Sequence, residues 1–133
     1  MKKAFLTMLF FGAFFFAKAQ NTFDVTIEGQ TYHMKEYFVV FLKAGPNRAT
    51  LDPKEAERLQ PLHLAHLGTL AKEGIIVLNG PFGDDTELRG MSIYSVPSLE
   101  DAMRHASDDP MVKAGWLAVE VHPWYGAVGT CLK

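Results

Sequence analysis

Cysteine is almost missing from this chain: Cys131 is the one thiol among 133 residues. No intramolecular disulfide can form, and neither a CxxC redox pair nor a cysteine-based metal site exists. Long apolar runs are equally scarce. Residues 4–16 form one, 13 residues in length, and nothing after it is apolar for long enough to cross a bilayer. A basic excess is lacking too: 13 Lys and Arg stand against 15 Asp and Glu, which excludes a general affinity for nucleic acid or anionic lipid. There is no nucleophile elbow, phosphate-binding glycine loop, zinc motif or dinucleotide fingerprint. Serine hydrolysis, phosphoryl transfer and hydride transfer therefore lack support, and no cofactor is implied.

What is present begins with Lys2 and Lys3, continues through the Phe-rich apolar run, and reaches Ala17-Lys18-Ala19. That is the layout of a secretory signal peptide over residues 1–19, with cleavage expected after Ala19; an uncleaved anchor is the alternative. The expected mature protein is secreted or periplasmic and not inserted in a membrane. Cleavage would remove three of the 13 basic residues and leave 114 of the 133, one domain's worth, with a net charge of about −5.

Residues 20–35 are polar with a hint of alternation, and read as an N-terminal arm or one extra strand. Residues 37–42 are six β-forming apolar residues closed by Gly45-Pro46-Asn47, a strand and a turn. Asp52-Pro53 caps a long helix that Gly74 should stop, with Pro61 expected to kink or break it. Residues 75–78 form a strand ended by Gly80-Pro81, and residues 89–96 another. Ser98 caps a short helix, Asp109-Pro110 opens one further turn, and residues 116–122 form a last strand before an aromatic tail at 122–126. The order is βαββαβ, a ferredoxin-like α+β fold over residues 36–126 with a C-terminal tail at 127–133. It predicts a four-stranded antiparallel sheet with two helices on one face. The first two strands are apolar at every position, so the other face also wants cover, and a homodimer through that sheet face is expected.

One residue breaks the apolar pattern of the long helix. Leu59, His63, Leu67 and Leu70 share a stripe that should be buried, and His66 lies beside it. A buried imidazole needs a hydrogen-bond partner or costs about 1–3 kcal/mol.

Gln60-Pro61-Leu62-His63-Leu64-Ala65-His66-Leu67, then Gly80-Pro81, then Asp108-Asp109-Pro110-Met111-Val112-Lys113-Ala114-Gly115 resemble the signature of the YciI-like, or YCII-related, family. The likeness covers about residues 35–125, and the Pro-Trp-Tyr-Gly tail resembles a subgroup of short members. It implies a ferredoxin-like fold assembled as a dimeric α/β barrel. It also implies a small-molecule pocket in which His63 and Asp109 meet, and proton-transfer or elimination chemistry on small ring compounds. Many members carry arginine where this chain has Gln60.

A His-Asp pair suits general acid-base work: the carboxylate fixes the tautomer while the other ring nitrogen exchanges a proton with substrate. His63 is the candidate acid/base and Asp109 the orienting acid. The plainer readings are a core histidine bonded to a backbone carbonyl and a simple helix cap. Arg89 is a candidate for binding an anionic substrate group, against an ion pair with Asp84, Asp85 or Glu87. His66 and Trp116 are further substrate-binding candidates, against a His63-His66 metal site whose only further candidate ligands are acids such as Glu120 or Asp84, and against packing between subunits. The expected function is acid/base chemistry of lyase or isomerase type on an unidentified small molecule. The alternative is a non-catalytic ligand-binding or structural homodimer.

Overall fold

The computed structural model describes residues 21–132. Its elements are β1 (Thr22–Ile27), β2 (Gln30–Ala44), α1 (Pro53–Lys72), β3 (Ile76–Pro81), β4 (Leu88–Tyr94), α2 (Leu99–Ser107), α3 (Pro110–Lys113) and β5 (Leu117–Ala127). The segment read as a signal peptide lies outside the described residues. From β2 onward the order is βαββαβ with α3 as one added turn, so the α+β, ferredoxin-like reading holds.

All strand pairs are antiparallel, in the order β3-β4-β2-β5. A fifth strand extends the expected four. β1 pairs with β2 from Thr22↔Lys35 to Ile27↔Gln30, and Glu28 (φ 48°) and Gly29 (φ 78°) form the two-residue turn between them. Lys35 pairs with Gly126 on one side and Thr22 on the other, so β1 occupies the edge of β2 that β4 uses further along. The aromatic segment 122–126 is not a tail either. It continues β5, whose pairing with β2 runs from Leu117↔Ala44 to Ala127↔Met34. Pro123 is tolerated there because β5 is an edge strand, as Pro81 is in β3.

The break expected at Pro61 does not occur; α1 is continuous from Pro53 to Lys72. Pro61 and Glu57, whose carbonyl loses its helical donor, are both exposed, so water can replace the missing bond. Gly74 (φ 73°) stops the helix with two backbone bonds, Ile75 to Leu70 at 2.9 Å and Gly74 to Ala71 at 3.1 Å.

The helices cover one face of the sheet. Phe38, Val40 and Tyr94 pack with Leu70, Ala102 and Ala106, while Leu42 packs with Leu59, Met111 and Leu117. Strand alternation then turns Tyr37, Val39 and Phe41 to the opposite face. There they lie beside their cross-strand partners Met91, Ile93, His122 and Trp124.

Candidate active site

A cleft of about 370 Å³ opens between α1 and the ends of the strands that lead into the loops at residues 45–52 and 82–87. Gln60, His63, Leu64 and Leu67 of α1 form one wall. Leu42, Asn79 to Pro81 and residues 89–92 form the sheet side, and Arg48, Met111 and Trp116 close the end.

His63 enters from the apolar stripe of α1 and is only 9 % exposed. Its Nδ1–H donates to Oδ2 of Asp109 at 2.5 Å, across 46 residues of sequence. Asp109 is 1 % exposed, and its Oδ1 accepts the backbone N–H of Met111 at 2.8 Å. The carboxylate is therefore both the N-cap of α3 and the partner of the imidazole. With Nδ1 occupied, Nε2 has no hydrogen-bond partner among the described residues. A neutral ring held in this tautomer carries its free lone pair on Nε2, the arrangement a general base requires. Below the pair lies Tyr94, buried and lifted to about 12, first by desolvation and then by the negative charge of Asp109. Its phenol stays protonated and neutral.

The other candidates divide. Arg89 lines the cleft at a β-bulge: Lys43 pairs with Leu88 and Leu42 with Gly90, leaving Arg89 as the extra residue. Its guanidinium donates to the Thr86 carbonyl at 3.1 Å and reaches Asp85 at 3.4 Å, so rim cation and surface ion pair coexist. Trp116 lines the cleft too, placed by the turn that ends α3, where Trp116 N–H bonds to Met111 O at 3.0 Å and Gly115 adopts φ 73°. His66 does not reach the cleft. One ring nitrogen, Nε2, donates to the His105 carbonyl at 2.9 Å and ties α1 to the end of α2, because a three-residue step turns it off the His63 stripe. The substrate-binding role expected for His66 is therefore withdrawn. Among the described residues no three of His, Cys, Asp and Glu gather as a metal would need.

Sequence reasoning missed Arg48, Asn79 and Ser92, all of which line the cleft. Ser92 had a signal, as a hydroxyl on the strand face it shares with buried Tyr94. Arg48 had none, because a lone arginine after a Gly-Pro-Asn turn reads as ordinary surface.

Among curated proteins none matches the chain. Among solved structures it is similar to 5-chloro-2-hydroxyhydroquinone dehydrochlorinase (TftG) from Burkholderia phenoliruptrix AC1100, in complex with 2,5-dihydroxybenzoquinone. The TM-score is 0.51 at 24% identity, over 66% of this chain and 92% of that one. At that identity the likeness speaks for the fold alone. The family model described as YCII-related domain matches residues 37–125, a span that holds β3, β4, the three helices, the cleft and both members of the His-Asp pair. The chain belongs to the YCII-related domain family.

Proposed function

We propose that this chain is an exported small-molecule enzyme that moves a proton in a lyase- or isomerase-type reaction, with His63 as acid/base and Asp109 as the acid that orients it. One observation carries the reading: His63 lines the cleft while its Nδ1 is held by a buried carboxylate. Nε2 takes a proton from an acidic C–H or O–H of the bound molecule. The electron pair left behind forms a new π bond, and either expels a leaving group with its bonding pair or is reprotonated elsewhere by Nε2–H. The imidazolium formed in between is stabilised by Asp109. Arg89 and Trp116 contribute to substrate binding. The similar structure of a dehydrochlorinase with a dihydroxyquinone supports a small oxygenated ring as the substrate class.

The assembly proposed is a homodimer joined through the helix-free sheet face, where Tyr37, Val39 and Phe41 lie beside Trp124, Ile93 and Met91 respectively. Export rests on residues 1–19, and the intact mass of the protein recovered from the periplasm should place its N-terminus at Gln20.

Chloride release from 5-chloro-2-hydroxyhydroquinone under anaerobic conditions, with binding of 2,5-dihydroxybenzoquinone measured in parallel, tests the chemistry. His63→Gln should lower turnover by about a hundredfold or more and leave ligand affinity nearly unchanged. Equal turnover in the variant would remove His63 from the reaction. Non-catalytic capture is the second reading, favoured because His63 is the one imidazole in the cleft lining and no aspartate or glutamate lines the cleft with it. Tight binding without turnover by the unaltered chain would select it.

A further inference from the structure

The cleft has an uncommon charge balance for an acidic chain. Its lining includes Arg48, Arg89 and His63 but no aspartate or glutamate. Four arginines stand among the described residues, and three have carboxylate partners: Arg58 with Glu55 at 2.6 Å, Arg104 with Asp101 at 2.9 Å and Arg89 with Asp85 at 3.4 Å. The Arg48 side chain has no carboxylate and no hydrogen-bond acceptor among those residues. Gln60, also on the cleft wall, supplies no charge.

Arg48 is nevertheless held in place. Its Cζ sits over the Trp116 ring, 4.7 Å from the ring centre. The loop that carries it is sewn to the corner between α3 and β5 by three hydrogen bonds. Gly45 N–H reaches Trp116 O at 2.9 Å, Asn47 N–H reaches Gly115 O at 2.9 Å, and the Asn47 side-chain amide reaches Ala114 O at 3.1 Å. The approach is so close that a Cβ on Gly45 would lie 2.2 Å from the Gly115 carbonyl oxygen. Contact with the ring satisfies none of the guanidinium N–H donors, so they remain open to a two-oxygen anion or a pair of adjacent ring oxygens.

We propose that Arg48, braced on Trp116, is the anion-binding residue of this cleft, and that its ligand is a small flat ring bearing a carboxylate or ionised hydroxyl. This rests on the small-molecule reading of the site and specifies the substrate class. Arg48 acts as a positioning residue: by gripping the anionic oxygen it sets which ring atom faces Nε2 of His63. A neutral ring would leave a desolvated guanidinium without an acceptor, which the site would reject.

Calorimetric titration of the full chain with benzoate and salicylate, and with their neutral counterparts benzamide and salicylamide, tests this without turnover. At least one acid should bind about tenfold or more tightly than its amide, and raised salt should weaken it. Arg48→Gln should erase that preference, and Arg48→Lys, which keeps charge but not the planar guanidinium, should restore part of it. Melting curves establish that both variants are folded. Arg89→Gln should cost less, since Arg89 already has partners, and His63→Gln should leave affinity within about twofold. Amides binding as well as acids, an unchanged preference in Arg48→Gln, or no binding by either acid would each overturn the proposal. The two readings fail separately: no acid preference in the unaltered chain, with His63-dependent turnover intact, sinks the anion site alone. Retained preference with turnover indifferent to His63 sinks the acid/base chemistry alone.

Discussion

Asp109 divides its two carboxylate oxygens between two elements, Oδ2 on His63 of α1 at 2.5 Å and Oδ1 on the Met111 N–H of α3 at 2.8 Å. One side chain thus fixes the orientation of the imidazole and the start of the short helix behind it. The two duties can be separated by substitution.

Asp109→Asn keeps a cap acceptor but turns a donor toward Nδ1, favouring the tautomer with its proton on Nε2. Nitrogen-detected NMR of the His63 ring should report that switch, and turnover should fall by about a hundredfold or more. Asp109→Ala loses both bonds and should cost about 1–3 kcal/mol in a urea melt. An unaltered His63 spectrum in Asp109→Asn would mean that the carboxylate does not set the tautomer.

Tyr94 carries a pH signature of the buried pair. Its phenol titrates near 10.0 when unfolded and near 12 when folded. The folded state holds the proton more tightly, so this stabilisation is complete below pH 10 and disappears between pH 10 and 12, a loss of about 2–3 kcal/mol. Tyr94→Phe has nothing to ionise. Urea melts across that window should show a shallower decline for the variant than for the unaltered chain.

Gly45 and Gly115 permit the close approach that seats Arg48. Gly45→Ala forces a methyl against the Gly115 carbonyl oxygen and should destabilise by about 1–3 kcal/mol. It should also weaken binding of anionic rings, because the loop that carries Arg48 must move. Gly83→Ala, in a loop where a Cβ would meet nothing within 4 Å, should do neither and serves as the control.

The face without helices makes its own prediction. Phe41 lies opposite Glu120 of β5 and Met91 of β4, so Phe41→Glu places a second negative charge on an apolar stripe. Light scattering should give twice the chain mass for the unaltered protein and a single-chain mass for the variant, with its circular dichroism retained. A single-chain mass for both would remove the homodimer.

Much of the fold could be read from local chemistry. Asp52-Pro53, Ser98 and Asp109-Pro110 each cap a helix with their own side chain, and Gly74 stops α1 with a positive φ. These signals act within a few residues and survive without tertiary context. The turn at Glu28-Gly29 was harder to see, because Glu is an uncommon occupant of a positive φ and both strands of that hairpin are mostly exposed. Residues 122–126 looked like a tail because Pro123 hid a strand that only an edge position allows. In the site, His63 stood out as a polar residue on an apolar stripe. His66 does not follow from the same signal, because three residues along a helix are near neighbours yet point to different partners, here Asp109 and the His105 carbonyl. Arg48 could not be found locally at all: the Asn47 contact that seats it lies 67 residues away in sequence.

The long β2 has a temporal meaning as well as a spatial one. Its residues from Met34 to Ala44 are zipped along one side by β5, and the apolar clusters beneath it draw on Leu117, Val119 and Val121 of that same strand. In a chain made from its N-terminus, β1 and β4 can pair with one edge of β2 first, and its other edge stays open until β5 arrives. That late, long-range pairing sets the pace at which the sheet closes.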